Sequence, residues 1–90
     1  MHNAELVLGS LGRLKILRTL AVTGFPSYTK YGLEKATGLK PSAVREHLKI
    51  LIEAGLVREL PLRPRVYVVN DKDPFTMLLI DLFRKSGYTK

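Results

Sequence analysis

The apolar positions of this chain change their period several times between Leu11 and Phe83. From Leu11 they recur at helical spacing, and Leu11, Leu14, Leu17, Leu20 and Ala21 share a predicted face interrupted by Arg13, Lys15 and Arg18. Gly24 and Pro26 end that helix. Ahead of it, "NAELVLGS" predicts a short helix from Ala4 to Leu8. The next segment, "KYGLEKAT", has Thr29 as N-cap and Gly38 as terminator, with Leu33 and Ala36 inward and Gly32 as a weak point. Gly38, Leu39 and Lys40 then form a tight turn with Leu39 as its buried plug. Pro41 opens a fourth helix, at a position where its missing N–H costs nothing. That helix runs to Ala54, stops at Gly55, and carries an inward stripe of Val44, His47, Leu48, Leu51 and Ile52. Two helices joined by such a turn predict a helix-turn-helix over residues 29–54.

Beyond Gly55 the residue types change. "LVREL" and "RVYVV" are rich in strand formers, and "PLRP" joins them, which predicts a hairpin over residues 56–69. Its two prolines suit the loop and strand ends, since neither can donate to a ladder. Asp73 and Pro74 supply an N-cap and first position for a last helix over residues 74–85. There Phe75, Leu78, Leu79, Leu82 and Phe83 form one stripe, and Met77 and Ile80 fall opposite at about 100° per residue. A helix apolar on two sides needs two surfaces to cover it. The domain's own core supplies one, and a second copy of the chain is the simplest source of the other. Met77, Ile80 and Phe83 are the expected dimerisation residues. The chain therefore reads as a single domain of 90 residues, mainly α with a small β-hairpin.

Composition narrows the partners. Hydrophobic residues at 46% and charged residues at 26% describe a globular chain, not a disordered one. Lys and Arg number 15 against 8 Asp and Glu, a net charge of +7, which favours an anionic partner: nucleic acid, acidic protein or membrane surface. The absence of cysteine excludes disulfides and thiolate metal sites. No apolar run approaches the ~18 residues of a membrane span, and the first residues lack a signal-peptide pattern, so a cytoplasmic protein without membrane association is expected. Glutamine is absent and asparagine occurs only at Asn3 and Asn70, which fits a hot-environment host and fits chance in a short chain equally.

"GRLKILRTL", "LEKATGLKPSAVREHLKILIEAGLVREL" and "RVYVVN" together resemble the winged helix-turn-helix regulators of the ArsR-like type, with related patterns in MarR-like regulators. The likeness covers residues 11–70, and its strongest part is "HLKIL" followed by "EAGLV" and a strand. It implies a dimeric repressor or activator, with the fourth helix in the major groove, the hairpin wing along the backbone or minor groove, and terminal helices forming the dimer. Departures are visible. Lys40 stands where such proteins often have a capping Ser, Glu46 where they often have Arg, and Pro61, Leu62, Arg63 and Pro64 replace a glycine-rich basic wing tip. Metal sensing through Cys pairs is not expected without cysteine, and no cofactor or effector motif is recognisable.

A helical wheel places Ser42, Arg45, Glu46 and Lys49 on the outward arc of the fourth helix. The first turns of a recognition helix reach base edges, which makes Ser42, Arg45 and Glu46 the base-contacting candidates. Arg45 suits guanine O6 and N7, and Glu46 suits a cytosine amino group. Lys40 and Lys49 suit phosphate, as do Thr29, Lys30 and Tyr31 at the start of the third helix. Arg58, Arg63 and Arg65 are the wing candidates. The same side chains also describe an ordinary solvated face, in which Glu53 pairs with Lys49. Leu62 is either a minor-groove wedge or a residue packed in its loop. His47 reads as a packed core histidine and His2 lies near a terminus, where order is poor, so no metal site is expected.

No set of residues assembles a nucleophile, a base and an orienting group, so no enzyme is expected. Glu46 and Glu53 share a face but lie roughly 10 Å apart along the helix, too far for an acid/base pair. The function expected is sequence-specific binding of double-stranded DNA by a homodimer. A protein- or RNA-binding winged helix and a nonspecific architectural DNA protein are the alternatives.

Overall fold

Five helices and one antiparallel hairpin follow in the order α1 (Asn3–Leu8), α2 (Leu11–Leu20), α3 (Lys30–Thr37), α4 (Pro41–Glu53), β1 (Val57–Leu60), β2 (Val66–Val69) and α5 (Pro74–Lys85). The computed structural model describes residues 3–22 and 24–88; His2 lies outside the described residues.

Short side chains start most of these helices. Ser10 Oγ accepts from Arg13 N at 3.3 Å, and Thr29 Oγ1 from Gly32 N at 3.0 Å. Asp73 Oδ2 accepts from both the backbone N–H and the hydroxyl of Thr76, at 2.9 and 2.7 Å. The exception is α4, whose N-cap, Lys40, makes no side-chain cap bond; Pro41 at the first position removes one donor instead. Gly38 ends α3 at φ 75°, a left-handed conformation that a side chain disfavours by about 1–2 kcal/mol. This glycine turns the chain from α3 into α4.

The core gathers Ile16, Leu17, Leu20 and Ala21 of the α2 region, Leu33 of α3, Val44, Leu48 and Leu51 of α4, and Val57, Tyr67 and Val69 of the hairpin. Two expected inward residues are corrected here. Leu11 and Ala36 are exposed, and Ile16 takes the place foreseen for Leu11. The inward arc of α2 is centred near Arg13 and Leu20, and at 3.6 residues per turn Leu11 falls almost opposite. Arg13 is therefore more than a polar interruption. It lies half-buried and its guanidinium donates to Leu6 O at 2.8 Å, tying α1 to α2.

The largest correction concerns α5. Its inward face is Thr76, Leu79, Ile80 and Phe83, with Thr76 fully buried, Ile80 2% exposed and Phe83 4% exposed. Ile80 and Phe83 belong to the chain's own core, and Met77 is half-buried against it. The outward apolar residues are Leu78 and Leu82, 70% and 56% exposed. The reason is Thr76. Counted as polar, it biases the wheel towards the leucines; with its hydroxyl satisfied by Asp73, it can be buried and turns the helix so that Ile80 faces inward.

The hairpin pairs Val57 with Val69 and Glu59 with Tyr67, so these four share the face that packs on the helices, while Arg58 and Val68 share the other. Arg65, expected to begin the returning strand, lies in the loop before Val66. A third short partner was not foreseen: Tyr28 N donates to Tyr67 O at 3.0 Å and Tyr67 N to Tyr28 O at 2.7 Å. Asn70 closes the base of the wing through Nδ2 to Gly55 O at 2.7 Å. Among the described residues no helix is long and apolar enough to cross a membrane.

α2 and α4 touch at Gly12, where an added Cβ would fall on His47 Nε2 and lie 2.8 Å from His47 Cδ2. Gly12→Ala is expected to lower stability by about 1–2 kcal/mol through overpacking. In a His47→Ala background the same change should become stabilising by about 1 kcal/mol, the ordinary helix preference for Ala. Urea unfolding of the four proteins checks this reversal of sign; additive effects would show that the contact is not the constraint.

Candidate nucleic-acid interface

Three elements converge on one side of the molecule. The inward stripe of α4 is locked in the core, which leaves Ser42, Arg45, Glu46 and Lys49 exposed on its opposite arc. Between this arc, the start of α3 and the hairpin runs a cleft of about 280 Å³, lined by Lys30, Arg45, Leu48, Lys49, Ile52, Glu53, Glu59 and Tyr67. A second hollow of about 470 Å³ lies between α3 and the wing loop, lined by Thr29, Lys30, Tyr31, Pro64, Arg65 and Tyr67. Lys30 and Tyr67 line both, so the two hollows adjoin.

Tyr67 organises this region. Its ring is 1% exposed. Its hydroxyl donates to Glu59 Oε1 at 2.9 Å, and Lys30 Nζ sits 5.9 Å from its ring centroid. Burial pushes the phenol up to about 12, helped by the hydrogen bond to Glu59 and that carboxylate's charge and opposed by Arg65. The second Glu59 oxygen lies 4.0 Å from Arg65 Nη1. The cations Lys30, Arg45, Lys49 and Arg65 thus surround two carboxylates, Glu53 and Glu59.

The family model for bacterial regulatory proteins of the arsR family matches residues 10–59, over half of the chain. The chain belongs to the arsR family. It is a winged helix-turn-helix DNA-binding regulator of transcription. Among solved structures it is similar to "TubR bound to 24 bp of tubC from Bacillus thuringiensis serovar israelensis pBtoxis", at 14% identity and a TM-score of 0.73 over 92% of this chain and 89% of that one. At that identity the likeness is one of fold. No curated protein matches the chain.

Within this regulator the site residues expected from sequence divide. Lys30, Arg45 and Lys49 line the cleft, and Thr29, Tyr31 and Arg65 line the hollow beside it. Ser42, Glu46 and Lys40 are exposed on or beside the first turns of α4, outside both. Thr29 already spends its hydroxyl on the cap of α3. Tyr31 is well exposed with Lys35 Nζ 5.3 Å from its ring. Arg63 and Leu62 are exposed in the wing loop, so Leu62 is not packed beneath it. Arg58 points from the hairpin face opposite Glu59, away from the cleft. Sequence reasoning missed Glu59 and Tyr67 as site residues; their cross-strand pairing was the available signal. Among the described residues no group of three or more His, Cys, Asp or Glu side chains is placed to hold a metal ion.

His47 lies on the flank of the buried stripe, half-exposed against Gly12. Its Nδ1 and the nearby Arg13 Nε are buried without a hydrogen-bond partner among the described residues. Burial holds the imidazole below its usual 6.5, Arg13 lowers it further, and Glu46 opposes both. A depressed histidine contributes stability above its unfolded value of 6.5, and that contribution is lost as pH falls through the folded value, because the unfolded chain then binds more protons. Wild type should therefore lose more stability than His47→Gln between pH 7.5 and pH 5. Denaturant midpoints at the two pH values measure the difference, and equal losses would rule out His47 as the source.

Proposed function

We propose that this regulator binds double-stranded DNA sequence-specifically as a homodimer, with α4 in the major groove and the wing loop on the backbone or minor groove. The observation that carries the reading is the convergence of Lys30, Arg45 and Lys49 with the wing on one cleft beside an exposed α4 arc. Arg45 and Glu46 contact base edges, with Ser42 on base or phosphate. Lys30, Lys40 and Lys49 meet phosphate and fix register without reading sequence, and Thr29 and Tyr31 support the same strand of backbone. Arg63 follows the backbone beyond the groove, with Arg65 beside it on the wing loop, and Arg58 contributes only long-range attraction. The similar fold of TubR, bound to 24 bp of tubC, supports double-stranded DNA as the partner. DNA in the cytoplasm is the partner, and the charge of +7 speeds its capture.

The second copy covers Leu78 and Leu82 on α5. Leu82 also lines an apolar hollow of about 500 Å³ with Leu14, Phe83 and Tyr88, a surface that water covers poorly. Such a dimer presents two α4 helices about 34 Å apart, one turn of DNA.

Fluorescence anisotropy on sites selected from genomic or random DNA tests the reading. Arg45→Ala should lose about 1–3 kcal/mol of discrimination at one base pair. Arg63→Ala should weaken all sequences alike and reduce the salt slope by about 0.9 for each phosphate that it no longer neutralises. Selected sites bound no tighter than random DNA at moderate salt would reject sequence-specific recognition. For assembly, Leu78→Glu/Leu82→Glu should yield a folded monomer by light scattering, whereas a persisting dimer places the interface elsewhere.

A further inference from the structure

We infer that Glu59 sets the DNA affinity of the wing: its carboxylate, clasped by the Tyr67 hydroxyl, engages Arg65 within the protein and so withholds that guanidinium from phosphate. This rests on the DNA binding proposed above.

An exposed ion pair alone would not do this. The Arg65 and Glu59 side chains are 68% and 37% exposed, and a pair of that kind at 4.0 Å contributes little and yields readily to a competing anion. What distinguishes Glu59 is its anchor. Tyr67 is fixed by the core and by its backbone pairing with Tyr28, and it pins one carboxylate oxygen at 2.9 Å. The other oxygen is thereby presented to Arg65 with the Glu59 side chain already ordered, so only one of the two side chains of the pair remains to be held. Directly across the strands, Glu59 and Tyr67 occupy one register position, so the backbone enforces the arrangement.

The carboxylate also lies where phosphate attraction should be strongest. Lys30 from α3 and Arg45 and Lys49 from α4 line the same cleft, with Glu53 as the other acid. To recruit Arg65, phosphate must displace it from Glu59. The wing then contributes one cation fewer to counterion release than its sequence suggests, and both affinity and salt dependence are reduced accordingly.

Glu59→Gln is the appropriate probe, because the amide oxygen still accepts from Tyr67 while the charge is gone. Affinity is read by anisotropy on a selected duplex and on a random duplex across a salt series. Glu59→Gln should bind both duplexes more tightly, by up to about eightfold per wing at 0.1 M salt, with the slope of log affinity against log salt steeper by about 0.9 per wing. Arg65→Ala alone should cost less affinity than Arg63→Ala, because Arg65 is already engaged. In an Arg65→Ala background the gain from Glu59→Gln should vanish. An unchanged slope in Glu59→Gln overturns the inference while leaving wild-type DNA binding intact. A gain that persists without Arg65 also overturns it, since removal of bulk negative charge then explains the effect. If neither wild type nor variant binds duplex DNA, the proposed function falls and this inference falls with it.

Discussion

The contact between α2 and α4 fixes how deeply the outward-facing helix sits. Gly12 offers no side chain, and the His47 ring occupies the space that a Cβ would take. With α2 pressed against one flank, Val44, Leu48 and Leu51 reach the core together. The opposite arc, with Arg45, Glu46 and Lys49, is then presented at a set height above the surface. A packed interior responds to a single added methyl. The geometry of the exposed charges is therefore decided by residues that carry none of them. The buried Nδ1 of His47 beside Arg13, without a hydrogen-bond partner among the described residues, is a polar group accommodated at that same joint.

Much of the scaffold was legible because its signals are local. Thr29, Gly38, Pro41, Gly55, Asp73 and Pro74 mark helix ends by short-range chemistry, and the helices begin and stop beside them. The α4 stripe was legible because a helix that faces solvent on one side separates its residue types cleanly. Errors arose where burial depended on a distant or satisfied partner. Thr76 reads as polar until Asp73 supplies an acceptor, and only then does Ile80 turn inward and Leu82 outward. Arg13 reads as a surface cation until Leu6 O is placed beside it. In the candidate site Arg45 and Lys49 of α4 were found by helical phase, and Lys30 by its place at the start of α3. Glu59 and Tyr67 were not, because their meeting depends on hairpin register, which the two strands determine only as a pair.

Tyr67 shows how much one such meeting can couple. Its backbone joins Tyr28 to the hairpin, its ring fills the core beneath Lys30, and its hydroxyl orients Glu59. The residue links the start of α3 to the wing through groups of three different kinds. The raised titration of its phenol follows from the same burial and the same carboxylate. It remains a protonated donor at neutral pH.

The two-sided α5 has a further consequence. Leu79, Ile80 and Phe83 close the core from one side of a helix whose other side carries Leu78 and Leu82. Arg84 at its end donates to Ala21 O at 3.3 Å and lies over the Phe25 ring, which ties this helix to the segment that follows α2. Anything that binds Leu78 and Leu82 in the places the folded core gives them binds the folded chain in preference to the unfolded one. By mass action the melting temperature of such a protein rises with the concentration of that binder. Interior order and the crowd outside become one equilibrium, joined by a single turn of helix.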